Sequence, residues 1–195
     1  MMKKIERVYC EILHLILEKN VRKTTQKQLS EDCKVSIGLV DYALKPLHQM
    51  GIIEIHNRYL NIINPKKLLL YWASILSLSS NIVYTTYVKE SSRVIEQMMP
   101  PCIFTAYSGY RYLFNDTPAD YSEVYVYGDP GIICKRFPPV QTSLRNIFVL
   151  RVDDYIVRRS VGSVAPLQLI YVDLWNLNTW YADEFIKDFE KHLKV

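Results

Sequence analysis

Five side chains in the C-terminal two-thirds of this 195-residue chain are of the types that move phosphoryl or nucleotidyl groups: Ser108, Glu123, Asp153, Asp154 and Asp173. Such chemistry needs two carboxylates, usually two positions apart on one strand face, to hold a divalent cation against a triphosphate. The residue two after Glu123 is Tyr125, and Asp153 and Asp154 are adjacent, so on a strand they point to opposite faces. Ser108 has no histidine near it in sequence to make it a nucleophile, and reads more plainly as a helix-capping hydroxyl. Asp173 follows an apolar run and reads as the structural partner of an arginine such as Arg111. No active transferase is expected. With six glycines in the whole chain there is no glycine-rich cradle, and no cofactor is expected either.

Metal chemistry finds equally little support. Cys10, Cys33, Cys102 and Cys134 are widely spaced, and none of His14, His48, His56 and His192 completes a close ligand pair. The cysteines read as small buried apolar residues of a protein in a reducing compartment, the cytoplasm. The N-terminal apolar stretch is interrupted by charges, unlike a signal peptide. From Leu68 to Val88 no residue is charged over 21 positions, long enough to cross a bilayer. Its second half is polar and β-branched, however, and Ser79-Ser80-Asn81 is a turn signal. A buried helix followed by a strand accounts for the same residues without a membrane.

The charge distribution is more informative. Residues 1–67 hold 12 Lys and Arg against 7 Asp and Glu, a local charge of +5; the other 128 residues hold 12 against 13. A merely solvated basic surface gives the same tally, but an excess confined to one third suggests a module that faces a polyanion.

The elements that would position those charges follow from periodicity. Residues 3–19 repeat apolar side chains at Ile5, Val8, Tyr9, Ile12 and Ile16, the period of an amphipathic helix that stops near Asn20. Thr24-Thr25 opens a short second helix from Gln26 that buries Leu29, and Cys33-Lys34-Val35 is a tight turn. Ser36 caps a third helix whose inward face reads Val40, Ala43, Leu44 and Leu47. Two β-prone runs, 52–55 and 59–63, flank His56-Asn57-Arg58 as a hairpin. Asn64-Pro65 marks a boundary and starts a linker helix.

This order, with Leu29, Val35-Ser36, Val40, Leu44, Leu47 and then Gly51-Ile52-Ile53 leading into the hairpin, resembles the winged helix-turn-helix of bacterial and archaeal transcription regulators. The resemblance implies a third helix that enters the major groove of double-stranded DNA. Candidate contacts are Ser36, Gly38, Tyr42 and Lys45 on that helix, and Gln26, Lys27, Lys34, Asn57 and Arg58 around it, chiefly on phosphates. No arginine lies on the third helix to grip guanine, Asp41 repels phosphate unless it reads a cytosine amine, and Pro46 interrupts one backbone bond and is expected to kink the helix.

Residues 81–195 alternate strand-like and helical runs. Strands are expected over 82–88, 102–105, 123–127, 132–135, 146–152 and 167–173, and helices over 91–99, 106–114 and 179–193. The segments Thr105-Ala106-Tyr107-Ser108-Gly109, Glu123-Val124-Tyr125-Val126 and Gln168 to Leu174, followed by a closing helix, look like the C-terminal part of AbiEi-type antitoxins. A winged helix in front extends the likeness over nearly the whole chain. It implies a repressor of its own operon that counters a nucleotidyltransferase-like toxin encoded beside it. The fold class expected is α+β (mixed α/β): a winged helix-turn-helix over 1–64, a linker helix over 65–80, and a mixed α/β domain over 81–195 resembling a non-catalytic nucleotidyltransferase-like fold. The expected function is that of a cytoplasmic DNA-binding transcriptional regulator acting as a homodimer. A nucleotidyltransferase-like enzyme, or a winged-helix module that docks protein rather than DNA, remain the alternatives.

Overall fold

Residues 2–193 are described by a computed structural model, and their contacts separate Met2–Leu76 from Ser77–Lys191. The chain is mixed α+β, with ten α-helices and two small sheets among the described residues.

In the first unit the apolar stripe at the N-terminus forms α1 (Lys4–Leu17), which packs on α2 (Gln26–Cys33), α3 (Ile37–Gln49) and α4 (Pro65–Ile75). Covered from three sides, α1 buries polar Glu6 and Glu11 along with Val8, Ile12 and Leu13. The caps are those the residue types imply. Thr25 accepts from the Gln28 amide at 3.0 Å, Ser36 from Leu39 at 3.3 Å and Asn64 from Lys67 at 2.9 Å, with Pro65 in the first turn of α4. The strands β1 (Lys23–Thr24), β2 (Ile53–Ile55) and β3 (Leu60–Ile62) form an antiparallel sheet in the order β1-β3-β2. β1 is an addition to the sequence reading; two residues carry no alternation to recognise.

Glu6 makes a testable electrostatic point. Its carboxylate accepts from the Lys3 amide at 3.2 Å and lies 3.6 Å from the Lys3 ammonium, yet burial outweighs both and holds its pKa above the ordinary 4.5. A raised folded-state pKa gives stability that is complete below the unfolded value and lost as pH rises through the folded one. Glu6→Gln is therefore expected to flatten the fall in urea midpoint as pH is raised above 4.5.

The second unit is a four-stranded sheet of β4 (Ile82–Thr86), β5 (Ile103–Thr105), β6 (Val124–Gly128) and β7 (Ile147–Arg151), ordered β4-β7-β6-β5. β6 and β7 are parallel; the outer pairs are antiparallel. Central β6 alternates its side chains between two covered faces. Val124 and Val126 join Ile95 of α5 (Ser92–Met98) and Ile133 of α7 (Pro130–Arg136) in one core. On the other face Tyr125 meets Tyr107 of α6 (Ala106–Phe114). Tyr107 and Tyr110 in turn pack edge-on against Phe185 of α10 (Trp180–His192), each with centroids 5.0 Å apart.

Two expected strands are helices. Residues 132–135 lie in α7, because Asp129 caps the Gly131 and Ile132 amides at 2.7 and 3.2 Å and Pro130 sets the first turn. Residues 167–173 lie in α9 (Leu167–Trp175), where Gln168 to Leu174 are all buried, so no polar face betrays the helical period. A further helix, α8 (Asp154–Arg159), is started by Asp153, which accepts from Tyr155 and Ile156. The uncharged stretch 68–88 is divided among α4, a 3-10 turn at Ser79–Asn81 and β4. Among the described residues no helix is long and apolar enough to cross a membrane.

Candidate nucleic-acid interface

Where α2 hands over to α3 the backbone turns sharply: Lys34 adopts a left-handed conformation (φ 54°), and the Val35 amide returns to the Ser30 carbonyl at 3.0 Å. The Ser30 hydroxyl donates to the Val35 carbonyl at 2.6 Å and locks the turn. Apolar Val40, Ala43, Leu44 and Leu47 then face the core, so the remaining side of α3 is turned to solvent. Ser36, Gly38, Tyr42 and Lys45 lie on that open side, Tyr42 66% exposed, together with Ile37 at 52%. A Cβ placed on Gly38 would touch nothing within 4 Å, so its own fold does not require glycine there. α3 continues as one helix through Pro46, whose carbonyl accepts from the Met50 amide at 3.0 Å.

The electrostatics of this side are more balanced than the sequence tally suggests. Lys45 lies 3.1 Å from Asp41, and Lys27 4.0 Å from Glu31, each one helical turn apart. Exposed pairs of this kind contribute roughly 0–1 kcal/mol, so either lysine can exchange its carboxylate for a phosphate.

A second group gathers at the hairpin between β2 and β3. Gln26, Asn57 and Arg58 line a cleft of about 430 Å³ with His56 and Tyr59. His56 stacks on Tyr59 at 4.6 Å, the His56 amide donates to the Tyr59 carbonyl at 2.8 Å, and the Lys23 ammonium sits 4.9 Å from the Tyr59 ring centroid. Sequence reading passed over Lys23, His56 and Tyr59. Lys23 reaches Tyr59 because β1 pairs with β3, a register that local periodicity does not encode. The candidate residues thus fall into an α3 group and a hairpin group, with Lys27 and Lys34 on α2 and its turn.

The acids of the second unit have structural occupations. Asp173 is fully buried and accepts from the Thr105 hydroxyl at 2.5 Å and the Tyr127 hydroxyl at 2.8 Å. Its expected partner Arg111 instead pairs with buried Glu96, because α6 sets the guanidinium towards α5, and Tyr121 donates to the same carboxylate at 2.6 Å. Glu123 accepts from the Tyr181 hydroxyl. Ser108 does not cap. It lies within the first turn of α6, fully buried, and its hydroxyl has no hydrogen-bond partner, while Thr105 occupies the cap position. Burial also pushes the Cys102 thiol up to about 12. Among the described residues no three His, Cys, Asp or Glu side chains converge where they could hold a metal ion.

No family model matches the chain, and no curated protein or solved structure matches it either. Its functional reading therefore rests on the residues and geometry above.

Proposed function

We propose that this chain is a winged helix-turn-helix regulator that binds duplex operator DNA as a homodimer in the cytoplasm, with a catalytically silent second domain of the kind resembling AbiEi-type antitoxins. The observation that carries the reading is the outward half of α3. The third of three helices and ahead of a hairpin, it presents Ser36, Gly38, Tyr42 and Lys45 to solvent while its other face builds the core. That order is the one that lets a recognition helix enter the major groove while the hairpin and flanking lysines hold phosphates. On this reading Gln26, Lys27, Lys34, Asn57 and Arg58 position the module, Tyr42 touches the groove and Lys45 meets the phosphate beside it. The second domain would serve a nucleotidyltransferase-like toxin system as its counterweight, and would itself be a non-catalytic relative of that fold.

The test is a titration of the full chain against the region upstream of its own gene. Lys45→Ala is expected to weaken every duplex about three- to tenfold, the weight of one phosphate contact. Tyr42→Ala is expected to narrow the gap between operator and unrelated sequence. If both variants bind like the parent, α3 is not the reading helix. Gly38→Ala is expected to raise stability by about 0.5 kcal/mol, since helical glycine is entropically costly and the space is open. It should nevertheless weaken DNA binding if the backbone approaches the duplex at this position.

One observation favours a second reading, protein docking. Ile37 and Tyr42 are the large exposed side chains near the start of α3, and the Asp41–Lys45 pair leaves little net charge between them. A chain that ignores DNA at low salt would favour that alternative.

A further inference from the structure

We propose that strand β4 is the surface on which a second copy of this chain docks, its own β4 pairing antiparallel to give one continuous eight-stranded sheet. The inference supplies the interface for the two-copy reading above and takes from that reading the need for a dimer.

The order β4-β7-β6-β5 leaves two sheet edges, and the chain treats them differently. At β5 it closes its own edge: the Phe104 amide donates to the Ser163 carbonyl at 2.8 Å and the Ala165 amide to the Phe104 carbonyl at 3.0 Å. At β4 the only strand partner among the described residues is β7. Exposed edges are ordinarily blocked with charge or proline. The run Ile82-Val83-Tyr84-Thr85-Thr86-Tyr87-Val88 has neither, and most of it is half-buried rather than covered.

The hydrogen bonding shows which groups point outward. The Thr86 carbonyl accepts from the Asn146 amide at 3.1 Å, and Val88 exchanges bonds with the Asn146 side chain at 2.9 and 2.7 Å. Both residues therefore face inward, towards β7. Backbone groups alternate along a strand, so those of Thr85 and Tyr87 face the open side. Thr85 lies beyond the bulge between Ile82 and Tyr84, in the regular part of the strand, and Tyr87 directly follows its last residue, Thr86.

An identical strand fits this edge. With the two-fold axis through Thr86, Thr85 of each copy pairs with Tyr87 of the other, which makes four backbone hydrogen bonds. The nearest charge along the strand, Lys89, then lies opposite Val83, and the cation nearest the seam is Arg145, whose Nε donates to the Thr85 hydroxyl at 3.2 Å. Such an isologous contact closes on itself. Both outer edges of the joined sheet would be β5 edges, each already sealed by residues 163–165, so assembly stops at two.

Sedimentation equilibrium of the full chain, without DNA, tests this. A dimer is expected. Thr85→Pro removes an outward amide and by symmetry two of the four bonds, and should raise the dissociation constant about tenfold or more. Thr85→Ser, which keeps both the amide and the hydroxyl that accepts from Arg145, should leave it unchanged. Hydrogen exchange of the natural chain gives an independent readout should the proline variant fail to fold: the Thr85 and Tyr87 amides should exchange more slowly above the dissociation constant than below it. A chain that is monomeric throughout overturns the interface, as does a dimer whose Thr85 and Tyr87 amides exchange at one rate at all concentrations. A monomer that still shifts operator DNA would sink this interface and the homodimer with it but leave DNA binding standing, and a β4-paired dimer that ignores DNA would sink the DNA reading alone.

Discussion

Raising monovalent salt from 50 to 200 mM is expected to weaken binding to duplex DNA about 10⁴-fold if two copies are seated, and about 10²-fold if only one is. The reasoning counts cations that can reach phosphate. Lys27, Lys34, Lys45 and Arg58 are all exposed on or beside the candidate interface, four per copy. Each neutralised phosphate releases condensed counterions, and the logarithm of the binding constant falls with that of salt by roughly 0.9 per contact on B-form DNA. Eight contacts over a fourfold change in salt give the larger figure and four the smaller. The carboxylates of Asp41 and Glu31 lie beside two of these lysines and set the direction of any shortfall. Fluorescence anisotropy on a labelled operator duplex, repeated at several salt concentrations, measures the slope. A slope near zero would remove backbone charge as the source of affinity and with it the polyanion reading of the first unit.

Glu96→Ala is expected to destabilise the second unit by about 3–5 kcal/mol, close to the whole stability of many domains. The Glu96 side chain is fully buried, pairs with Arg111 and accepts from Tyr121. The Arg111 side chain is itself only 21% exposed, and its Nε donates to the Tyr121 hydroxyl at 3.2 Å. Truncating the carboxylate leaves that guanidinium poorly solvated and a buried phenol without its acceptor, which is why breaking such a pair costs more than the pair contributes. Urea unfolding followed by tryptophan fluorescence checks the figure. Glu96→Gln, which keeps the shape and one acceptor, should lose less. Equal losses in both would mean that the charge is immaterial and that packing alone matters here.

How much of this was legible beforehand differs between the two units. In the first, each helix has one apolar and one polar side or a recognisable cap, so Thr25, Ser36 and Asn64 could be placed at helix starts from residue type alone. The candidate interface inherits that clarity, since the open side of α3 is the complement of its apolar stripe. In the second unit the same logic failed at α7 and α9. Ile132-Ile133-Cys134 is short and β-branched, and its helix depends on the Asp129 cap, a residue that signals a turn equally well. α9 is buried from Gln168 to Leu174, its polar Gln168 and Asp173 included, and a run covered on every side has no solvent face to set a period.

The acids show the same division more sharply. Asp173 and Arg111 looked complementary in sequence, and each is indeed satisfied, but by other residues: Thr105 and Tyr127 for the first, Glu96 for the second. Partner choice over tens of residues is set by which helices share a face of the sheet, and that is decided by packing.

By itself, then, the sequence determined the local chemistry: helix starts through capping oxygens, the inward face of α3 through its apolar spacing, and the basic excess of the first third through composition. Only the tertiary structure decided what depends on long-range pairing: that Lys23 reaches Tyr59 across β1 and β3, that two lysines near α3 sit beside carboxylates, and that residues 163–165 bridge to one sheet edge while β4 has no second strand partner among the described residues. The physical reason is range. Caps and periodicity act within a turn or two of chain, whereas strand register, buried ion pairs and sheet edges arise from segments far apart in sequence that meet only when the apolar surface of both is buried at once.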